Sequence, residues 1–272
     1  EFPIEQSVRD KIALFCNVPS NHVIEGRDVS SIYEVPLTIY KQNAGQLIKD
    51  RLKIKKTPQL GTLKKFIKHY KNPKLKVTIA MCGKYTELID SYKSVMEAFV
   101  HAGVENNARV NIKWIQTEKI KNLKDVEKVF SNVNGVLILP GFGSRGSEGK
   151  IKIVNYSREN MVPFLGICLG LQCAVIEFAR NVCKMEGANS TEFNSKTQYP
   201  VIDLMESQRA IKIKGGTMRL GAYECEIKLG TKAYSAYRKK KISERHRHRY
   251  EVNNRYKKTL EKNGLVFSGI NQ

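Results

Sequence analysis

The sequence predicts an α/β protein with a mostly parallel sheet, and three observations lead to this prediction. Apolar strands alternate with helical segments from residue 77 onward. The strands are continuous apolar runs, as expected when helices cover both faces of a sheet. A cysteine flanked by glycines, at Gly166 to Gly170, follows one strand and opens a helix. A ligand of such a fold should lie at the carboxyl ends of the strands.

Composition excludes several classes of protein. The chain has 272 residues, of which 41% are hydrophobic, so it is neither disordered nor fibrous. No run of 18 apolar residues is present, which argues against a membrane protein. The six cysteines form no CxxC pair, which indicates reduced thiols and a cytoplasmic protein. The net charge of +21 favours anionic ligands.

Changes in pattern divide the chain into three parts. Residues 1–48 are expected to be a short α/β fragment that is too small to bury its own faces. Residues 49–76 form a basic linker containing an amphipathic helix, with Thr62 as a possible N-cap. The apolar face of that helix is formed by Leu63, Phe66, Ile67 and Tyr70. Residues 77–272 form the main domain.

The main domain contains four predicted strands and at least three helices. The strands are Val77 to Cys82, Val110 to Ile115, Gly135 to Leu139 and Val162 to Ile167. The helices are Ser91 to Ala102 with Val95, Ala98 and Phe99 inward, a helix around Val126 to Phe130, and Leu169 to Arg180.

Cys168 is the candidate nucleophile. In a G-x-nucleophile-x-G turn the flanking glycines allow a sharp reversal that exposes the central side chain above the sheet. The helix that starts at Leu169 should favour the thiolate, and the Leu169 N–H should face an oxyanion. The alternative is that Cys168 is an inert core residue.

A second glycine cluster, Gly141 to Gly146, follows the third predicted strand. Its G-x-G-x-x-G pattern matches the dinucleotide fingerprint, but that fingerprint needs an acidic residue about 20 positions on, at the end of the next strand. Here the next strand leads into Cys168. The cluster is better interpreted as a loop whose backbone faces the same pocket, with Gly141 as the second oxyanion donor. A plain β-turn remains the alternative.

The segment Glu244 to Asn253 contains three arginines and two histidines. An H-x-H pair can bind a metal, but no third ligand is nearby, so no metal site is predicted. The segment is either a charged, solvent-facing strand or a site for a carboxylate or phosphate.

Four motifs resemble the CTP synthase family, whose members aminate UTP with glutamine. They are GICLGLQ from Gly166, ANSTEF from Ala188, GGTMRLGA from Gly215 and ERHRHRYEVNN from Glu244. The segment KIALFCNVP from Lys11 and the turn after it resemble the family's synthetase domain. The resemblance implies a class I glutamine amidotransferase-like three-layer sandwich preceded by a small α/β fragment of a P-loop-type synthetase domain.

The resemblance also implies roles for individual residues. Cys168 would attack the glutamine amide, with Gly141 and Leu169 as oxyanion donors. Glu192 and Arg249 would hold the two charged ends of the free amino acid. The remaining residues of the implied glutamine site are Gly170, Leu171 and Gln172, and those of the implied nucleotide site are Lys11, Arg27, Asp28 and Val29.

Two family features are not found in the sequence. No G-x-x-x-x-G-K-[ST] P-loop occurs, so this chain alone is expected not to phosphorylate UTP. No His-x-Glu follows His248, so the base of the triad is expected to be missing and glutamine hydrolysis to be absent or severely impaired. The stretch from Glu206 to Gly215 is also shorter than in many relatives, which suggests a trimmed surface loop.

Cofactors and partners follow from the same resemblance. No cofactor is expected in this fragment, whereas the full-length family enzyme uses MgATP and is activated by GTP. Glutamine, ATP and UTP or CTP are the implied small-molecule partners, and a homotetramer is implied for the full-length enzyme. Two alternatives stay open: a non-catalytic amidotransferase-like scaffold, and a nucleic-acid-binding protein suggested by the positive charge.

Overall fold

The computed structural model describes residues 3–84, 86–205, 208 and 219–271. The chain forms two compact units. The first comprises residues 1–76 and 95–109, and the second comprises residues 77–94 and 110–272. The proposed trimmed loop, and the start of the GGTMRLGA motif, lie outside the described residues except for Gln208. Within the described residues, no helix combines the length and apolar character needed to cross a membrane.

The first unit is mainly helical. Its helices within residues 3–76 are α1 (Gln6–Cys16), α2 (Val35–Lys41), α3 (Ala44–Leu52) and α4 (Gly61–Lys71). The prediction that residues 1–48 form an α/β fragment is wrong, because the described residues 3–48 contain helices and no strand. A strand needs a paired neighbour, and these residues satisfy their backbone groups within helices instead.

The predicted helix of the basic linker is confirmed, but Thr62 is not its cap. The helix α4 begins at Gly61, and Leu60 precedes it without a side-chain cap. Ile67 is buried, and Phe66 and Tyr70 contact the ring of Tyr33. Tyr33 also donates its hydroxyl to Glu97 at 2.5 Å. An aromatic cluster therefore joins the linker helix α4 to Tyr33, which precedes it in the chain. The hydrogen bond to Glu97 also holds Tyr33 in place.

The main sheet has four strands: β1 (Leu75–Gly83), β2 (Ala108–Gln116), β3 (Gly135–Ile138) and β4 (Phe164–Gly166). Their order is β2-β1-β3-β4, and β3 pairs in parallel with both β1 and β4. All four predicted strands and the α/β class are confirmed. The order brings the ends of β3 and β4 side by side, so the residues that follow these strands meet at one edge of the sheet.

Helices of the second unit pack around this sheet. Apart from α5 (Lys93–Glu105), most of which belongs to the first unit, these helices are α6 (Leu123–Phe130), α7 (Ser147–Glu159) and α8 (Leu169–Asn181). The predicted inward position of Ala98 is wrong, because that residue is exposed. The sequence analysis missed α7, whose buried positions include Lys150. A buried lysine interrupts the apolar period that would have indicated this helix.

The described residues of the rest of the second unit form six strands and the two helices named below. The strands are β5 (Asn189–Ser190), β6 (Pro200–Leu204), β7 (Arg219–Ile227), β8 (Lys241–His248), β9 (Tyr250–Val252) and β10 (Gly269–Ile270). The helices are α9 (Lys232–Tyr237) and α10 (Asn254–Lys262). They give two three-stranded sheets, β5-β6-β9 and β10-β7-β8. The charged segment at Glu244 to Asn253 therefore contributes to both sheets.

The turn between β4 and α8 depends on two glycines that allow close backbone contact. A Cβ on Gly166 would lie 2.5 Å from the carbonyl carbon of Gly170, and one on Gly170 would lie 2.5 Å from the Ile138 carbonyl oxygen. Real Cβ atoms do not approach backbone atoms so closely. The glycines are therefore required by the packing of α8 against β3 and β4.

We predict that Gly166→Ala destabilises the second unit. The new methyl group would meet only backbone atoms, which cannot move aside, so the expected loss is about 1–3 kcal/mol or more. Thermal unfolding followed by circular dichroism measures the effect. Gly61→Ala is the control, because nothing lies within 4 Å of its Cβ position. Equal melting temperatures for Gly166→Ala and the unmodified chain would contradict this account of the turn.

Candidate active site

Cys168 lies at the N-terminal end of α8 in a strained backbone conformation. Its φ of 55° and ψ of −108° are unusual for a residue with a side chain. This is the geometry that the G-x-C-x-G motif predicted for an exposed nucleophile. The side chain is half-buried, and Sγ lies 3.8 Å from the carbonyl oxygen of Arg247. Cys168 is thus a free thiol at the carboxyl edge of the main sheet.

Burial and two backbone N–H groups have opposite effects on the pKa of this thiol. Burial raises the pKa of Cys168, and the backbone N–H groups of Leu169 and Gly141 both lower it. The net shift of the Cys168 pKa is upward. The prediction that the helix N-terminus makes the thiolate the favoured form is therefore wrong. Burial outweighs the helix terminus because it removes the water that would solvate the thiolate. A separate base is therefore needed to take the thiol proton at neutral pH.

Glu192 connects the glycine loop with the nucleophile. Its Oε1 accepts a hydrogen bond of 2.7 Å from the backbone N–H of Gly143. Its negative charge also raises the pKa of Cys168. Glu192 is therefore close enough to act on the thiol while remaining half-buried.

Arg249 lies in the same region, in the single-residue gap between β8 and β9. Its Nη1 donates to Gln208 Oε1 at 2.7 Å, and its carbonyl oxygen accepts from the Met205 N–H at 3.0 Å. Burial and then Glu192 raise the pKa of Tyr250, whereas Arg249 lowers it. Glu192 and Arg249 thus both act on Tyr250, which places an anion and a cation around one side chain.

Gln172 carries an unsatisfied polar atom in this region. The residue is buried, and its Nε2 donates to the Tyr250 carbonyl at 3.1 Å. Its Oε1 is buried without a hydrogen-bond partner among the described residues. Buried acceptors are normally satisfied, so this oxygen suits an N–H donor of a ligand. On the same turn of α8, Gly170 is buried and Leu171 exposes about half of its side chain, at 51%.

The imidazole rings of the two histidines in the charged segment are hydrogen-bonded to each other. His246 Nδ1 lies 3.0 Å from His248 Nε2, and His248 Nδ1 lies 3.1 Å from the Tyr250 carbonyl oxygen. In the part of the chain that the structure describes, no histidine is hydrogen-bonded to the Cys168 thiol. Among those same residues, no group of three or more His, Cys, Asp or Glu side chains is arranged to hold a metal ion.

The residues of the implied nucleotide site lie in the first unit. Lys11 is an exposed residue of α1. Asp28 and Val29 follow Arg27 in a segment without regular secondary structure. Arg27 pairs at 2.8 Å with the buried carboxylate of Glu25. Glu25 also accepts from the Ile4 N–H at 2.8 Å, so its charge fixes the turn.

Sequence reasoning missed two lysines that bind the glycine loop. Lys84 Nζ donates to the carbonyl oxygen of Phe142, and Lys150 Nζ donates to that of Leu139 at 3.2 Å. Lys84 directly follows β1, so its place at the carboxyl edge of the sheet could have been inferred. Nothing in the sequence indicated Lys150, because its helix was not predicted.

We predict that Glu192→Gln lowers the pKa of Cys168. The carboxylate disfavours a second negative charge on sulfur, so its removal favours the thiolate. The measurement is the rate of iodoacetamide alkylation of Cys168 against pH, followed by peptide mass spectrometry, and its midpoint should move to lower pH.

Glu186→Gln serves as the control for this experiment, because Glu186 is exposed and shows no contact with the site. Its midpoint should equal that of the unmodified chain. An unchanged or higher midpoint for Glu192→Gln would show that the carboxylate does not act on the thiol.

Comparisons with known proteins agree with this geometry. Residues 87–272 match the family model for class I glutamine amidotransferases, and residues 1–54 match that for the CTP synthase N-terminus. The CTP synthase of Methanocaldococcus jannaschii is 50% identical over 275 residues, covering 99% of this chain and 51% of that protein. The CTP synthase of Cytophaga hutchinsonii is 51% identical over 273 residues, covering 100% of this chain and 50% of that protein.

A solved structure is similar as well. The glutaminase domain of Trypanosoma brucei CTPS with bound acivicin has a TM-score of 0.67 and 35% sequence identity, covering 72% of this chain and 75% of that one. The chain spans about half the length of the curated relatives that it matches. From the matched family model and the arrangement around Cys168, the chain belongs to the class I glutamine amidotransferase family and carries a CTP synthase N-terminal segment ahead of that domain.

Proposed function

We propose that this chain is the glutamine-hydrolysing part of a CTP synthase and that Cys168 is its nucleophile. The observation that carries the proposal is the strained Cys168 at the N-terminal end of α8, a thiol whose pKa is lowered by the backbone N–H groups of Leu169 and Gly141. Two preorganised donors beside a nucleophile are the arrangement that acyl transfer requires. The family match and the relatives support glutamine as the substrate.

In the proposed reaction the Cys168 thiolate attacks the carbon of the side-chain amide. The amide oxygen gains negative charge and accepts hydrogen bonds from the Leu169 and Gly141 N–H groups. The amide nitrogen takes a proton and leaves as ammonia, and a thioester remains on Cys168. Water then attacks the thioester, which releases glutamate and restores the thiol.

The charged ends of glutamine require partners of opposite sign. We assign the ammonium group to the Glu192 carboxylate and the carboxylate to the Arg249 guanidinium, whose planar fork suits it. Arg249 would exchange its contact with Gln208 for the substrate. The unpaired Oε1 of Gln172 would accept an N–H of the ligand. Gly170 and Leu171 complete the wall on the same turn of α8.

The wider reaction is proposed from the relatives alone. Ammonia would pass to a UTP that MgATP has phosphorylated, in a synthetase domain to which residues 1–54 belong. Lys11 and Arg27 are exposed cations that suit nucleotide phosphates, and Asp28 and Val29 adjoin Arg27. A homotetramer and activation by GTP are proposed for the whole enzyme.

We predict that glutamine protects Cys168 from alkylation. A bound amide covers the sulfur, so saturating glutamine should slow iodoacetamide labelling of Cys168 by several-fold, and acivicin should do the same. Cys183 is the internal control, because it follows the far end of α8, about 20 Å along the helix. Equal protection of both cysteines, or of neither, would contradict the proposed glutamine site.

We also propose that the 272 residues alone hydrolyse glutamine slowly. The pKa of Cys168 is raised by burial, and no described histidine reaches the thiol to accept its proton. A version extended by a His-Pro-Glu segment of a relative should release glutamate about 10²- to 10⁴-fold faster, the usual range for general acid–base catalysis. Cys168→Ser in the extended version gives the background rate. Comparable rates for the two lengths would show that the base lies within the 272 residues.

A further inference from the structure

Among the described residues of the second unit, Lys150 is the most deeply buried charged side chain that the proposed reaction does not use. It belongs to α7 and has no exposed surface. A lysine is rarely buried completely, because its ammonium group loses hydration and needs compensation. Among the described residues, Nζ of Lys150 donates a hydrogen bond of 3.2 Å to the Leu139 carbonyl oxygen and forms no ion pair with a carboxylate. Because burial of this ammonium group costs free energy, a functional role for Lys150 would explain its position.

The contact of Lys150 is with the loop that supplies an oxyanion donor. Leu139 lies two residues before Gly141, whose N–H lowers the pKa of Cys168. The amine also lies close to Gly141 itself, since a Cβ built on that glycine would be 3.6 Å from Nζ. Lys150 thus holds the backbone on which the donor depends.

The charge of Lys150 also acts on the nucleophile. Burial lowers the pKa of Lys150, and the ionisable groups facing it are Cys173, Lys84, Cys82 and Cys168. Among the described residues that act on Cys168, the Glu192 carboxylate opposes the effect of Lys150 on the thiol. A cation in a medium of low dielectric constant acts strongly on nearby charge.

We propose that Lys150 is a positioning residue for glutamine hydrolysis, which holds the Gly141 loop through the Leu139 carbonyl and favours negative charge at Cys168 and at the adjacent oxyanion. This inference rests on the proposed function of Cys168. It assigns to α7 a part in the site, although α7 contributes no group that touches the substrate. The Lys150 side chain is held by its burial and by the Leu139 carbonyl, so it costs no reorganisation as charge develops.

The test is the pH dependence of Cys168 alkylation in Lys150→Met and Lys150→Gln. Both replacements are unbranched and uncharged, and removal of an unpaired buried charge need not destabilise the fold. We expect both variants to move the alkylation midpoint upward by about half a pH unit or more, opposite to Glu192→Gln, because a cation near the thiol has been lost. A residue that only fills space would not move the midpoint.

Lys152→Met is the matched control, because Lys152 lies on the same helix, is half-buried and has no contact with the site. Thermal unfolding of each variant checks folding. An unchanged midpoint in both folded Lys150 variants would overturn the inference. Loss of cooperative unfolding in both would also overturn it, because Lys150 would then be needed for the fold itself.

The outcome also separates this inference from the proposed function. If glutamine protects Cys168 in the unmodified chain but the Lys150 variants keep its midpoint, only the role of Lys150 fails. If glutamine gives no protection in the unmodified chain, the proposed function fails first. In the extended version, Lys150→Met should lower kcat several-fold with a smaller change in KM, since the loop donor acts mainly in the transition state.

Discussion

The close approach of the α8 N-terminus to the end of β3 is the constraint on which the site depends. The Ile167 N–H donates to the Ile138 carbonyl oxygen at 3.1 Å, and Gly170 passes so near the same oxygen that no side chain fits. This contact fixes Cys168 in its strained conformation and aligns it with the loop that continues from β3. Strain of this kind persists only where the surrounding packing determines it, and here buried residues of β3 and α8 provide that packing.

The groups around Cys168 have opposing effects on the pKa of its thiol. Burial and Glu192 disfavour the Cys168 thiolate, whereas two backbone N–H groups and Lys150 favour it. Because burial dominates, the pKa of the Cys168 thiol lies above its usual value. The same low dielectric constant strengthens every interaction that forms when a substrate arrives. A raised thiol pKa and the proposed oxyanion site are therefore compatible features of one environment.

The first unit is organised by a different interaction. A single buried carboxylate, Glu25, holds a backbone N–H and the guanidinium of Arg27, and Gln42 binds the backbone of Glu25. An aromatic cluster around Tyr33 then joins the basic linker helix to the preceding residues. Several apolar side chains of α1, including Leu14 and Phe15 at 78% exposure each, take no part in this core. Small helical units of this kind bury little apolar surface for their length.

The sequence by itself determined the α/β class, the four strands of the main sheet and the elbow at Cys168, because each is encoded by local apolar pattern or by glycines at fixed spacing. It did not determine α7, since the buried Lys150 breaks the helical period, or the helical state of residues 3–48, which depends on how their backbone groups are satisfied. The direction of the Cys168 pKa was decided only by the tertiary structure. A helix N-terminus is visible in a sequence, whereas the burial that outweighs it arises from residues far apart in the chain that fold around one atom.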